Sequence, residues 1–318
     1  MKLAIDIGFS SVKVVTDGIS FKFPTLISGY TKPSVDLGYG REKTFTYEGR
    51  DYLVGDEAKN GTDVMYSFEI DFLIDYAPLF IAKAVEIAES KGAGNILEIA
   101  LGLPIEYYKD NKERLWQTAK SFIINDRQYR FYEKVKKDGS LLYPVYPQGI
   151  GILSDYIEQA GVTVKDDGSG FVLDIGFNTV LVVAFENYGA TKAGHKQYTQ
   201  LGISKASRKL EDYLINTYGI DDRTQIELLQ ILTNKTFKHY GKKIDVSDKV
   251  NAIMLDYIDG ILLRVQTDYD RRFGSSDKLI IGGGGAYYVK NDIYKKYPDL
   301  AVFMENPEFS NARGFYHL

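Results

Sequence analysis

Residues 6–15 read DIGFSSVKVV, and residues 174–183 read DIGFNTVLVV. Seven of the ten positions are identical, and the two stretches lie 168 residues apart. That offset is too long for a solenoid repeat and fits two similar half-molecules. A short apolar run precedes each copy, Leu3-Ala4-Ile5 in one and Phe171-Val172-Leu173 in the other. Valines follow each, at 12, 14 and 15 and at 180, 182 and 183. The pattern is strand, tight turn, strand: a β-hairpin whose turn carries an aspartate and hydroxyl or amide side chains. Gly8 and Gly176 are expected to supply positive φ in those turns.

Outward from the hairpins, strand and helix signals alternate. Strands are expected at 22–27, 44–54, 96–103, 128–136 and 278–281. Helical spacing covers 76–91, where Phe80, Ala84, Ile87 and Ala88 share a face, and also 112–122, 149–161, 204–218 and 250–273. Gly92 and Gly94 end the first helix, and a run of four glycines, Gly282–Gly285, follows the last strand. Strands mixed with helices throughout indicate α/β domains. At 318 residues the chain has room for about two of them. The expected division is 1–160 with 303–318, and 161–302.

Composition narrows the function classes. Apolar residues make up 44% and charged residues 26%, as in an ordinary globular protein. The longest apolar runs, 171–173 and 180–185, are far too short to span a membrane. Asp6 falls too early for the apolar core of a signal peptide, so the expected location is the cytoplasm. There is no cysteine and there are three histidines, which argues against thiolate and multi-histidine metal sites. A net charge of −4 argues against a broad nucleic-acid surface. The 25 tyrosines against one tryptophan carry no meaning from composition alone.

The chemistry-bearing positions follow from the repeat. A hairpin turn lined by amide N–H groups can cradle an anion, and Ser10 and Ser11 add hydroxyls. Lys13 is the informative difference, because Leu181 stands in its place in the second copy. An alternating strand sets Lys13 beside the turn, where an ammonium can pair with phosphate. Taken alone, a lysine there also reads as an ordinary surface residue. Asp6 and Asp174 occupy matched positions, and two carboxylates next to a polyphosphate suit Mg²⁺. The glycine run matches neither a P-loop nor a Rossmann fingerprint. It reads equally as a plain turn or as a place where a flat ligand approaches. Gln148 lies between a strand and a helix, where a neutral amide can orient an attacking water or simply bond to backbone.

Taken together, DIGFSSVK, the PQGIG segment at 147–151, LDIGFNTV and IIGGGGAYY resemble, in order, the phosphate-1, connect-1, phosphate-2 and adenosine motifs of the actin, Hsp70 and sugar-kinase superfamily. GLPIEYY at 102–108 and NPEFSNARGFYHL at 306–318 resemble the prokaryotic actin-like ATPases of the plasmid-segregation ParM type and their archaeal relatives. The resemblance spans nearly the whole chain.

It implies an actin-like fold of two similar ribonuclease H-like α/β domains, with ATP (or GTP) and Mg²⁺ in a cleft between them. By the same resemblance Asp6 and Asp174 are metal and catalytic residues, and Gln148 is the catalytic residue that positions water. Ser10, Ser11 and Lys13 contact the β-phosphate. Gly176, Asn178 and Thr179 surround the γ-phosphate, and Gly283, Gly284 and Gly285 run along the nucleoside. A purine contact falls loosely within 205–211. Phe9 and Phe177 depart from eukaryotic actin but suit the plasmid-type branch. The implied activity is ATP hydrolysis coupled to a homopolymeric filament. The implied task is plasmid DNA segregation through a DNA-binding adaptor, with no direct nucleic-acid or membrane contact. The alternatives are a sugar-type kinase of the same superfamily and a non-filamentous regulatory ATPase.

Overall fold

Strand β1 (Lys2–Ile7) is buried from Leu3 to Ile7, as a strand covered on both faces must be. It turns back antiparallel into β2 (Ser11–Thr16), which continues antiparallel into β3 (Ile19–Pro24). On its other edge β1 pairs in parallel with β4 (Glu98–Leu103), which pairs in parallel with β5 (Val145–Pro147). The five-stranded order is β5-β4-β1-β2-β3. The structure is a computed structural model and describes residues 1–31, 43–61, 63–67 and 69–318.

The pleat sorts the first sheet's faces. Leu3, Ile5, Val12 and Val14 pack with Phe80, Ala84 and Trp116. These come from α1 (Ala77–Ser90) and α2 (Ile105–Ala119). On the opposite face Ala4 and Ala100 pack against Phe315 of the C-terminal helix, Ser310–His317. Asp6, two residues on from Ala4, lies on that second face. A smaller four-stranded sheet is built from Phe45–Tyr47, Arg50–Val54, Ile27–Gly29 and Val64–Met65. Helix α3 (Ile150–Ala160) carries the chain out of this unit.

The second unit repeats the plan. Strands β6 (Ser169–Ile175), β7 (Thr179–Glu186) and β8 (Gly189–Thr199) run antiparallel in sequence. Helices α4 (Ser204–Tyr218), α5 (Gln225–Asn234) and α6 (Ser247–Gly274) follow. Then come β9 (Lys278–Gly282), α7 (Ala286–Lys296) and β10 (Ala301–Phe303), with β6, β9 and β10 mutually parallel along the sheet. The order β8-β7-β6-β9-β10 is the first sheet's order with each strand replaced by its counterpart five places on. The duplication read from ten residues is therefore a duplication of topology.

The units are Met1–Asp155 with Asn311–Leu318, and Tyr156–Ser310. The return to the first unit comes later than the expected residue 303, because β10 is hydrogen-bonded to β9 and belongs to the second sheet. Other differences are local. Helix α2 starts directly after Pro104 and not at 112; proline is at home at a helix start, where its missing N–H is not needed. The strand expected at 128–136 is two short pieces, Arg127–Arg130 and Lys134–Val135, in separate hairpins. No helix of the described residues is long and apolar enough to cross a membrane.

Candidate nucleotide site

In the first unit, β1 and β2 set Asp6 directly opposite Lys13. Asp6 is 3% exposed. Its Oδ2 lies 3.8 Å from Lys13 Nζ, and its Oδ1 accepts a 2.7 Å hydrogen bond from Gln148 Nε2. Gln148 follows β5 and is anchored by its own N–H, which donates to Leu103 O at 2.8 Å. Asp6, Ser10, Ser11, Lys13 and Gln148 thus gather at one end of the first sheet.

The turn itself is closed by Gly8 N–H, which donates to Ser11 O at 3.2 Å. Gly176 N–H does the same with Thr179 O at 2.9 Å. Neither amide therefore belongs to the expected anion cradle. Nor is either glycine at positive φ. Both turns fit closely: a Cβ at Gly8 would stand 2.9 Å from Nζ of the flexible Lys13 side chain and 3.1 Å from Ser11 O, and one at Gly176 would stand 3.2 Å from Thr179 O. Thr25, buried beside the first turn, donates its hydroxyl to Gly8 O at 2.5 Å and its N–H to Ser10 O at 3.3 Å. Nothing in the hairpin motif pointed to Thr25. Phe9 and Phe177 each pack against their own unit's core, so the aromatic in each turn pins it down.

In the second unit Asp174 faces Leu181 across the hairpin. Leu181 is buried, so this copy has no cation where the first has Lys13. Asn178 and Thr179 complete the turn, and the start of α4 holds it. Gly202 N–H donates to Asn178 O, Ile203 N–H to Gly176 O and Ser204 N–H to Phe177 O, at 2.9–3.1 Å. Helix-start donors that would otherwise be orphaned are thereby used.

The glycine run serves two purposes. Gly283 has φ +80°, and a Cβ there would come 2.3 Å from Asp174 Oδ1. A Cβ at Gly285 would come 2.4 Å from Ile175 Cγ2, and its N–H donates to Ile175 O at 2.7 Å. These two glycines let the loop lie against the Asp174 strand. Gly284 differs: its nearest neighbour would be Glu308 Cβ at 4.0 Å, which leaves one side of the loop open.

Beyond that loop the second unit contains a cavity of about 920 Å³. Leu232, Met254, Leu255, Tyr287 and Tyr288 give it apolar and aromatic walls, with Thr233, Lys235, Asn251 and Asn291 as polar edges. Its lining comes from the end of α5, from α6 and from α7, and includes none of residues 205–211. Apolar walls with a few polar groups are the usual make-up of a small-molecule site.

A duplicated five-stranded sheet thus carries an aspartate at the same register of each hairpin. Residues 4–151 match the N-terminal domain of actin-like proteins, and residues 172–295 match the C-terminal domain of the archaeal actin homologue, MreB-like family. The chain is an actin-like protein. An archaeal actin homologue, Ta0583, is similar over 99% of this chain and 98% of its own, with TM-score 0.80 and 18% identity. That homologue also has a structure in complex with ADP, at TM-score 0.77 and 17% identity over 99% and 98% of the two chains. A 15-stranded ParM filament from Clostridium botulinum superposes at TM-score 0.74 with 19% identity, over 99% of this chain and 97% of that one. No curated protein is similar enough to match.

Proposed function

We propose that this chain binds Mg²⁺-ATP, or Mg²⁺-GTP in its place, through the turns of both units. It assembles head to tail into filaments and hydrolyses the nucleotide, which makes the filaments dynamic. The observation that carries this reading is the matched pair of aspartates near the strand ends that lead into the two turns, one of them hydrogen-bonded to Gln148. Bound Mg²⁺ would neutralise phosphate charge around the group that water attacks.

Asp6 and Asp174 are the residues that would hold the ion. Among the described residues no three His, Cys, Asp or Glu side chains come together as a metal cluster. A Mg²⁺ that keeps several waters and leans on one or two carboxylates and phosphate oxygens needs none. With one oxygen of Asp6 on Gln148 and the other facing Lys13, Asp6 suits contact through water. Lys13, Ser10 and Ser11 take the β-phosphate, and Asn178 and Thr179 take the γ-phosphate, with Gly176 shaping the turn that presents them. The open side of Gly284 receives the nucleoside and the tyrosine-lined cavity receives its base, in place of 205–211.

Gln148 spends its amide N–H on Asp6 and offers its carbonyl oxygen to the attacking water. Asp174 orients that water from the second unit. Positioning and preorganised charge supply most of the rate. Head-to-tail contacts are heterologous and generate open filaments. The ADP complex of the archaeal homologue and the ParM filament are in line with nucleotide binding and assembly here. The task we assign to the filament is moving plasmid DNA in the cytoplasm. The net charge of −4 fits attachment through a DNA-binding adaptor.

Phosphate release from ATP tests the catalytic assignment. The wild-type chain should turn over, and Asp174→Ala should fold without doing so. Turnover that persists in Asp174→Ala contradicts the site.

A further inference from the structure

The turn that carries Gln148 is held from the far end of the sequence. Gly149, its neighbour, has φ +81°, a conformation that side chains resist. The Gly149 N–H donates to Asn311 Oδ1 at 2.8 Å, across 162 positions. Two successive amides therefore have different supports: Gln148 on β4 through Leu103 O, and Gly149 on the C-terminal helix. Asn311 is 5% exposed, so water does not readily take its place.

The helix that presents Asn311 is itself fixed. The Arg313 guanidinium donates to both oxygens of Asp155 at 2.8–3.1 Å, and Asp155 is buried. Gly314 crosses Gly151 so closely that a Cβ at 314 would come 1.8 Å from Gly151 O. Phe315, fully buried, lies over Gly102. A Cβ at Gly102 would meet the Phe315 ring at 2.4 Å and Asp6 Oδ1 at 3.1 Å. One helix thus reaches the surroundings of both members of the Gln148–Asp6 pair: Asn311 holds the turn amide next to Gln148, and Phe315 packs over Gly102, beside Asp6 Oδ1.

We propose that Asn311 is a positioning residue for Gln148, setting where the amide stands against Asp6 and hence where it can place water. The inference rests on the reading of Gln148 as the water-orienting residue. Asn311 acts through the Gly149 amide that it accepts from.

The test compares Asn311→Ala, which removes the acceptor, with Asn311→Asp, which keeps an oxygen at that point. In Asn311→Ala, kcat should fall about tenfold or more, because small displacements of reacting groups are costly. The KM for ATP should stay within about twofold, since no substrate contact is lost. Hydrogen exchange at the Gly149 amide should accelerate. Asn311→Asp should restore both kcat and slow exchange. An Asn311→Ala protein that folds and keeps wild-type kcat overturns the proposal, as does a loss that Asn311→Asp does not restore. If Asn311→Ala fails to fold, wild-type exchange decides: a Gly149 amide as fast as exposed loops contradicts the brace. A wild-type chain that hydrolyses no nucleotide would sink the proposed function, while Gly149 exchange would still report on the brace alone.

Discussion

The side-chain amide of Gln148 donates to Oδ1 of Asp6 at 2.7 Å, joining two residues 142 positions apart. Only the NH₂ end of an amide can donate to a carboxylate, so the bond fixes the orientation of the Gln148 amide, with its NH₂ on Asp6. Gln148→Ala should lower ATP turnover about a hundredfold, a typical loss for a group that handles a proton or a water. ATP affinity should change little. Single-turnover kinetics with a binding titration separates the two effects, and equal losses in both would contradict the assignment.

Lys13 and Leu181 stand at matched register, opposite Asp6 and Asp174. Lys13→Leu therefore installs a side chain that the second hairpin already accommodates, and the fold should survive. Affinity for ATP and ADP should drop about tenfold, the size of one lost charge-assisted phosphate contact. Nucleotide titrations on a folded variant check this; undiminished affinity would place Lys13 outside the site.

The two glycines at 283 and 284 should respond in opposite ways. Gly283→Ala forces a Cβ towards Asp174 Oδ1 at positive φ and should cost about 1–3 kcal/mol of stability. Gly284→Ala meets nothing closer than 4.0 Å and should stay within about 0.5 kcal/mol of wild type. If Gly284 borders the nucleoside, its loss should appear in ATP affinity instead. Urea melts alongside ATP titrations distinguish the two, and identical behaviour would contradict the division of roles.

The tyrosines give a pH signature. Burial raises the Tyr47, Tyr129 and Tyr269 phenols to about 12. Tyr198 is raised further, by burial and by its hydrogen bond to Asp268, and Tyr257 by burial. Unfolded phenols ionise near 10. From there to about pH 12 the unfolded chain sheds protons that the folded chain keeps, so these groups' stability is full below pH 10 and falls above it. Lys2 acts in the opposite sense: burial lowers it to about 8 from 10.5, so its contribution rises with pH over that interval. Urea midpoints should decline steeply above about pH 10, in step with tyrosinate absorbance. A flat profile would contradict the burial of these rings. Part of the tyrosine excess is thus core packing.

The two hairpins were legible because the repeat wrote them twice, each as a short apolar run, a glycine turn and a valine-rich run. The helix α5 was also legible and was missed. Thr224 and Glu227 form a reciprocal capping box at its start, and T-x-x-E before an apolar run is a sequence signal. The early part of α2 was not legible: its buried residues, Leu115, Trp116 and Ala119, all lie in its second half, so no apolar stripe marks the first turns. The Gln148–Asp6 and Asn311–Gly149 bonds were beyond reach, because no local pattern relates residues 142 or 162 positions apart. The tyrosine-walled cavity depends on three separate helices, and nothing in any one of them announces it.

Sedimentation of the purified chain with ATP, ADP or a non-hydrolysable ATP analogue tests the central claim most directly. The account predicts that ATP drives the protein into pelletable filaments that later disassemble, that the analogue gives filaments that persist, and that ADP gives few. A chain that stays in the supernatant with every nucleotide would contradict it, even if ATP binds.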